Sequence, residues 1–187
     1  MTAARSAHLA MLLAAGLALG QGASAPPPPA LGHAERTAAP SPKNVELKDL
    51  QGKVVGTVLL VDTPHGILLR GALSGLPPGT HAIHFHETGK CEPPFKSAGG
   101  HFNPTRKAHG VMDPAGPHAG DLPNLVVPKG GELEFELFAE ALTLADGPNT
   151  VLDADGTALV LHAKPDDYRT QPAGDSGDRI ACGVIVR

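Results

Sequence analysis

Lys53–Val61 (KVVGTVLLV) and Ile67–Leu73 (ILLRGAL) are apolar runs, and Asp62-Thr63-Pro64-His65-Gly66 stands between them as a turn. Short aliphatic and β-branched runs bounded by Gly and Pro are the pattern of β-strands. His65 is then an exposed turn residue. Leu76-Pro77-Pro78-Gly79 breaks the chain again, and Thr80–Glu87 follows as a strand. Leu133–Ala139 (LEFELFA) alternates with period two, which places Glu132, Glu134 and Glu136 on a solvent-facing strand edge. Thr157–His162 and Ile180–Val186 complete the set. No segment has the pattern of a long amphipathic helix. Short strands joined by Gly/Pro turns predict an all-β fold, an antiparallel sandwich or barrel. Trp is absent and aromatics are 3% of residues, so the core is built from Val, Leu, Ile and Ala.

The 187 residues divide into three parts. Residues 1–25 read as a signal peptide: Arg5, an apolar run from Leu9 to Leu19 too short to span a bilayer, and Ala23-Ser24-Ala25 as a small-residue cleavage pattern. Residues 26–43, rich in Pro and Ala, read as a linker, and His33 within it as a solvated residue. Residues 44–187 are long enough for one domain with one core. That domain carries 12 Lys/Arg and 18 Asp/Glu, a formal charge of −6. Nothing in it has the basic footprint of a nucleic-acid binder. Chemistry on an anion would need a local positive funnel. Cys91 and Cys182 are the only cysteines, and an even count in an exported chain predicts one disulfide, with two buried free thiols as the alternative.

Six histidines and one aspartate, His84, His86, His101, His109, His118, Asp121 and His162, are spaced as one two-metal site. His84 and His86 lie two apart on a strand, so both imidazoles point to one face. Neutral imidazoles suit copper(II). His109, His118 and Asp121, joined by His101, offer three nitrogens and one oxygen, a closed tetrahedral set suited to a structural zinc. Two four-coordinate sites need about eight ligand positions, and seven residues supply them if the His101 ring bridges both metals. Residues 88–123, which hold four of these ligands and Cys91, and residues 163–178 are the long irregular connections, and such loops are usually functional.

Four runs carry a family resemblance: His84-Phe-His86-Glu87, Ser97-Ala-Gly-Gly-His101-Phe-Asn-Pro104, His118-Ala-Gly-Asp121-Leu-Pro-Asn124 and Gly177-Asp-Arg179-Ile-Ala-Cys182-Gly-Val-Ile185. Together they make residues 44–187 resemble a copper/zinc superoxide dismutase of the bacterial exported type. The resemblance implies an eight-stranded antiparallel Greek-key β-barrel with a long zinc-binding loop and a long electrostatic loop. It implies one copper on His84, His86, His101 and His162, and one zinc on His101, His109, His118 and Asp121. It pairs Cys91 with Cys182. It makes Arg179 the active-site cation for a small anion, and Asp166, with Asp167 as the alternative, the partner of one copper and one zinc histidine. His81 packs or hydrogen-bonds beneath the site.

The implied activity is disproportionation of superoxide to oxygen and hydrogen peroxide, with His101 and Arg179 as the catalytic residues. The implied setting is the periplasm or cell envelope, with no stable membrane insertion after signal removal and a homodimer left open. Two departures from the family pattern stand out. Ala82-Ile83 replaces Gly-Phe, a packing change, and Asp178 precedes Arg179 where a small neutral residue is usual, so its carboxylate could pair with the guanidinium or blunt the positive funnel. The rivals are a copper-binding or copper-delivery module of the same fold, a mononuclear zinc hydrolase, and an adhesion domain. Asp121 argues against the hydrolase, because it fills the position that water needs.

Overall fold

A computed structural model describes residues 40–187; the expected signal peptide, His33 and the linker up to residue 39 lie outside them. The strands are β1 (Lys43–Asp49), β2 (Val54–Thr63), β3 (Gly66–Leu73), β4 (Gly79–His81), β5 (Ile83–His86), β6 (Leu125–Val127), β7 (Leu133–Ala139), β8 (Thr157–His162) and β9 (Arg179–Ile185). One short 3-10 turn, Lys96–Ala98, interrupts the loop after β5. Seven strands form one antiparallel sheet in the order β5-β8-β9-β1-β2-β3-β7, and β4 pairs with β6. Placing β5 beside β8 and β7 beside β3 requires long crossovers, and the result is the antiparallel Greek-key barrel.

Five of the six expected strands appear whole, two of them to the residue and the others within two residues at each end. The sixth, Thr80–Glu87, is divided at Ala82 into β4 and β5. The cause is a change of partner: β4 pairs with β6, whereas β5 pairs with β8. Ala82 itself donates to Lys164 O and accepts from His162 N–H, both at 2.9 Å. Counting β4 and β5 as one interrupted strand gives the eight strands of the barrel. β1 and β6 had no distinct sequence signal. β1 (KNVELKD) buries only Val45 and Leu47, and β6 is three residues long.

The core is aliphatic, as composition requires. Val45, Leu47, Val58, Leu60, Ile67, Leu69, Ile83, Phe85, Leu159, Leu161 and Ile185 pack together with almost no solvent contact. Burying each such side chain is worth about 1.5–3 kcal/mol. β8 is buried on both faces: Leu159 and Leu161 enter this main core, while Ala158 and Val160 meet Phe95, Ala98 and Cys182 under the loop that follows β5. β7 is a terminal strand with Glu132, Glu134 and Glu136 exposed, and its Arg70–Glu136 ion pair at 2.6 Å lies in solvent.

Candidate metal centre

β5 is buried along its whole length, with Ile83 and Phe85 in the core and His84 and His86 on the opposite face. His162 ends the neighbouring β8. The long loop returns across β5 in isolated bridges, His86 with His101 and His84 with Asp121. Phe85 N–H donates to Gly120 O at 2.9 Å, and Phe102 N–H donates to Phe85 O at 2.8 Å. Gly120 is needed there, because a Cβ would sit 2.5 Å from Phe85 O. Residues remote in sequence are thus laid over the two strand histidines by backbone hydrogen bonds.

The seven side chains come together as two groups that share one ring. His84, His86, His101 and His162 form one group, and His101, His109, His118 and Asp121 the other; the donor atoms of each lie within 4.8 Å of one another. All six imidazoles are buried. His86 Nε2 and His162 Nε2 stand 3.3 Å apart. Asp121 Oδ1 lies 2.8 Å from His101 Nδ1, 3.1 Å from His109 Nδ1 and 3.3 Å from His118 Nδ1. Two buried ring nitrogens, His84 Nδ1 and His101 Nε2, have no hydrogen-bond partner among the described residues, and both belong to the four-histidine group. An unsatisfied buried polar atom costs about 1–3 kcal/mol. Two of them aimed into one cluster of imidazoles fit a cation of nitrogen preference.

Electrostatics leave three of the six rings ready for metal. Burial lowers His101 to about 4 and His162 to about 3, and it holds His86 well below its ordinary value, so these rings are neutral ligands at pH 7. Burial alone would raise the Asp121 carboxyl, yet hydrogen bonds from His101, His109, His118 and Gly110 N–H keep it far below the usual carboxylate range. Burial likewise opposes charge on His109, but Asp121 and Asp166 together lift it to about 9.

Asp166, not Asp167, joins the two groups. Its Oδ2 lies 2.9 Å from His84 Nε2 and its Oδ1 3.0 Å from His109 Nε2. Asp167 is exposed and accepts from Arg169 and Thr170 N–H instead. Gly174 makes room: at φ +66° it packs so close that a Cβ would overlap Asp166 Oδ1. Three residues without an assigned role hold this loop against the other. Asn124 Oδ1 accepts from Asp166 N–H at 2.8 Å, Tyr168 Oη accepts from Asn124 N–H at 2.9 Å, and Gln171 Oε1 accepts from His109 N–H at 2.8 Å. Their partners lie about 40 to 60 positions away in sequence, so only the Asn124 that closes the His118–Asn124 run was in view.

Arg179 pairs with His162 across β8 and β9. Its Nη1 donates to Phe95 O and its Nη2 to Gly99 O, each at 2.6 Å. Gly99 O also lies 3.0 Å from His86 Nδ1, so one carbonyl fixes both the guanidinium and a histidine of the first group. Asp178 is exposed and, among the described residues, makes no ion pair with Arg179; of its two possible effects the pairing is not made, since its carbonyl accepts from Ala163 N–H at 2.7 Å and its side chain faces solvent. Cys91 and Cys182 are bonded across a sequence separation of 91. His81 is buried beneath the site, with Nδ1 2.8 Å from His162 O and Nε2 2.9 Å from Pro77 O.

Comparison with known proteins agrees with this geometry. The family model described as copper/zinc superoxide dismutase matches residues 54–185. A Cu-Zn superoxide dismutase 2 of Aquifex aeolicus is 47% identical over 145 residues, covering 76% of this chain and 85% of that protein. A Cu-Zn superoxide dismutase of Caulobacter vibrioides is 46% identical over 138 residues, covering 72% and 79%. Among solved structures, a point mutant of a superoxide dismutase-like protein from Bacillus subtilis aligns with a TM-score of 0.75 and 40% identity, over 77% of this chain and 97% of that one. The Cu/Zn superoxide dismutase of Brucella abortus aligns with a TM-score of 0.64 and 29% identity, over 78% and 99%. With two interlocked donor groups on an antiparallel barrel, and relatives that match across most of its length, the chain belongs to the copper/zinc superoxide dismutase family.

Proposed function

We propose that His84, His86, His101 and His162 hold copper, that His101, His109, His118 and Asp121 hold zinc, and that Arg179 receives the anion. The family's activity, dismutation of superoxide to oxygen and hydrogen peroxide with one copper and one zinc, is the activity of this chain. The observation that carries the assignment is His101: its Nδ1 faces Asp121 Oδ1 at 2.8 Å, while its Nε2 is buried without a partner in the other group. The donor sets suit the ions, all nitrogen for copper and three nitrogens with one oxygen for zinc.

Copper, when bound, supplies the one-electron couple that lets one superoxide be oxidised and the next reduced, while zinc keeps a single oxidation state. The chain does the rest. The Arg179 guanidinium, fixed by two carbonyls, offers a positive charge to a diatomic anion in an otherwise acidic domain. His101 Nε2 takes up a proton in one half of the cycle and gives it to the forming peroxide in the other. Asp166 orients His84 and His109, since a carboxylate on the far ring nitrogen fixes both tautomer and ring plane. Asp121 closes the zinc group, which suits a structural ion and not a hydrolytic one.

The domain is residues 44–187, tethered by residues 26–43 behind a signal peptide at 1–25, and the setting is the periplasm, with a homodimer compatible with this reading. A copper-delivery module of the same fold is not favoured, because all seven ligand positions and Arg179 are filled. Metal analysis of the His101→Ala variant tests the proposal. Loss of both metals, together with loss of superoxide consumption, is expected; an unperturbed copper spectrum in that variant would overturn it.

A further inference from the structure

Ser176 is almost wholly buried, and its Oγ lies 3.1 Å from His162 Nδ1. The Gly177 carbonyl oxygen lies near the same nitrogen, at 3.4 Å. A carbonyl can only accept a hydrogen bond, whereas a hydroxyl can donate or accept. The other face of the ring shows why that difference matters. His86 Nδ1 is 3.0 Å from Gly99 O, so it carries the proton, and its Nε2 presents a lone pair. That lone pair faces His162 Nε2 at 3.3 Å. Two ring nitrogens at this separation either share a cation or have one proton between them. Without a cation, the proton must sit on His162 Nε2, and His162 Nδ1 then becomes an acceptor. Ser176 can donate to it; Gly177 O, at the longer distance, cannot.

We propose that Ser176 is a positioning residue that serves both tautomers of His162, donating to Nδ1 before copper arrives and accepting from Nδ1–H once copper occupies Nε2. This rests on His162 being a copper ligand. The hydroxyl lets the four-histidine group stay folded and hydrogen-bonded without its ion, and a single ring-proton shift opens Nε2 to the metal. The neighbouring backbone fixes the hydroxyl in place: Ser176 N–H donates to Ala173 O at 3.3 Å, and Ser176 O accepts from Lys164 N–H at 2.9 Å.

The test is the tautomer of His162, read from its ring ¹⁵N resonances in zinc-loaded, copper-free protein at neutral pH, before and after copper(I) is added. The expected wild-type result is an Nε2–H ring that converts to Nδ1–H on copper addition. Ser176→Ala is expected to keep Nε2–H in copper-free protein, as the His86 contact requires, but with its Nδ1 resonance moved toward that of a ring nitrogen without a donor; Ser176→Thr, which restores a hydroxyl, is expected to behave as wild type. An Nδ1–H ring in copper-free wild type, or an Nδ1 resonance that is the same in copper-free Ser176→Ala as in wild type, overturns the proposal while leaving the ligand assignment intact. His162 resonances that do not move on copper(I) addition remove the ligand assignment and the proposal with it.

Discussion

Asp166→Asn replaces one carboxylate oxygen with an amide NH2 at the point where the two donor groups meet. Three donors converge on the native carboxylate: His84 Nε2 on Oδ2 at 2.9 Å, and His109 Nε2 and Tyr168 N–H on Oδ1 at 3.0 and 2.6 Å. With metals on the Nδ1 atoms, both Nε2 atoms carry protons, so both rings need an acceptor. Asparagine offers one oxygen, and either orientation sets its NH2 against one imidazole N–H. The two rings differ in freedom. His84 is fixed by the β5–β8 ladder, whereas His109 stands in an irregular loop, its backbone held by Gln171 and its far ring nitrogen only by Asp166. The mobile ring gives way, so zinc is the metal that loses most. A buried donor left without an acceptor costs about 1–3 kcal/mol, which is roughly 5- to 150-fold in a dissociation constant. Loss of such outer hydrogen bonds typically weakens metal binding about 10- to 100-fold. The expected result is a zinc affinity down by about 100-fold and a copper affinity down by about tenfold or less, measured by competition with a chromophoric chelator. Zinc affinity unchanged while copper falls, or neither metal affected, would refute the argument from ring mobility.

Arg179→Ala should lower kcat/KM for superoxide by about tenfold or more and flatten its dependence on ionic strength, since it removes the local positive charge; stopped-flow superoxide decay over a salt series reads both. Reducing Cys91–Cys182, which closes a loop of about 90 residues, should cost roughly 4–5 kcal/mol in the chain-entropy model and lower the melting temperature by about 10–15 °C; equal melting curves with and without reductant would contradict this. Burial depresses His162 to about 3 from 6.5, so the neutral ring contributes stability that is complete above pH 6.5 and lost as pH falls toward 3. Between pH 6.5 and 4 that loss is roughly 3 kcal/mol, so the acid destabilisation of metal-free His162→Gln should be smaller than wild type by about that amount, read from urea unfolding at each pH.

How much of this was legible in the chain differs from element to element. Leu133–Ala139 and Thr157–His162 were found to the residue, because their apolar patterns answer to the core they enter. The break at Ala82 was not, since it follows from a change of strand partner that no local propensity encodes. β1 was missed because two buried residues among charged ones give no contrast. The seven ligand positions were readable because metal chemistry restricts them to His and Asp at fixed spacings. Ser176, Gln171 and Tyr168 were not, because each is an ordinary residue whose partner is brought near by the fold alone. Asp178 shows the limit of adjacency: of the two effects its position allowed, pairing with Arg179 or weakening the positive funnel, the pairing is not made, because the side chain turns to solvent.

The placement of the cross-links explains why a domain with so little aromatic core can hold two long irregular loops in register. The loop after β5 is tied to the barrel by Cys91–Cys182 at one end and by the bridges from His101 and Asp121 to β5 at the other. The loop after β8 is tied to it through Asp166 with His109, Asn124 with Asp166 and Tyr168, and Gln171 with His109. The bridges from His101 and Asp121 and both contacts with His109 end on donors to the metals, and Asp166, which Asn124 holds, bonds two of those donors. Ordering the loops and assembling the donors are therefore one event, and ion binding adds directly to the stability of the folded chain. The same argument places the cost of a loop mutation in metal affinity before it shows in the barrel, because none of the seven ligands lies on β1, β2, β3 or β7.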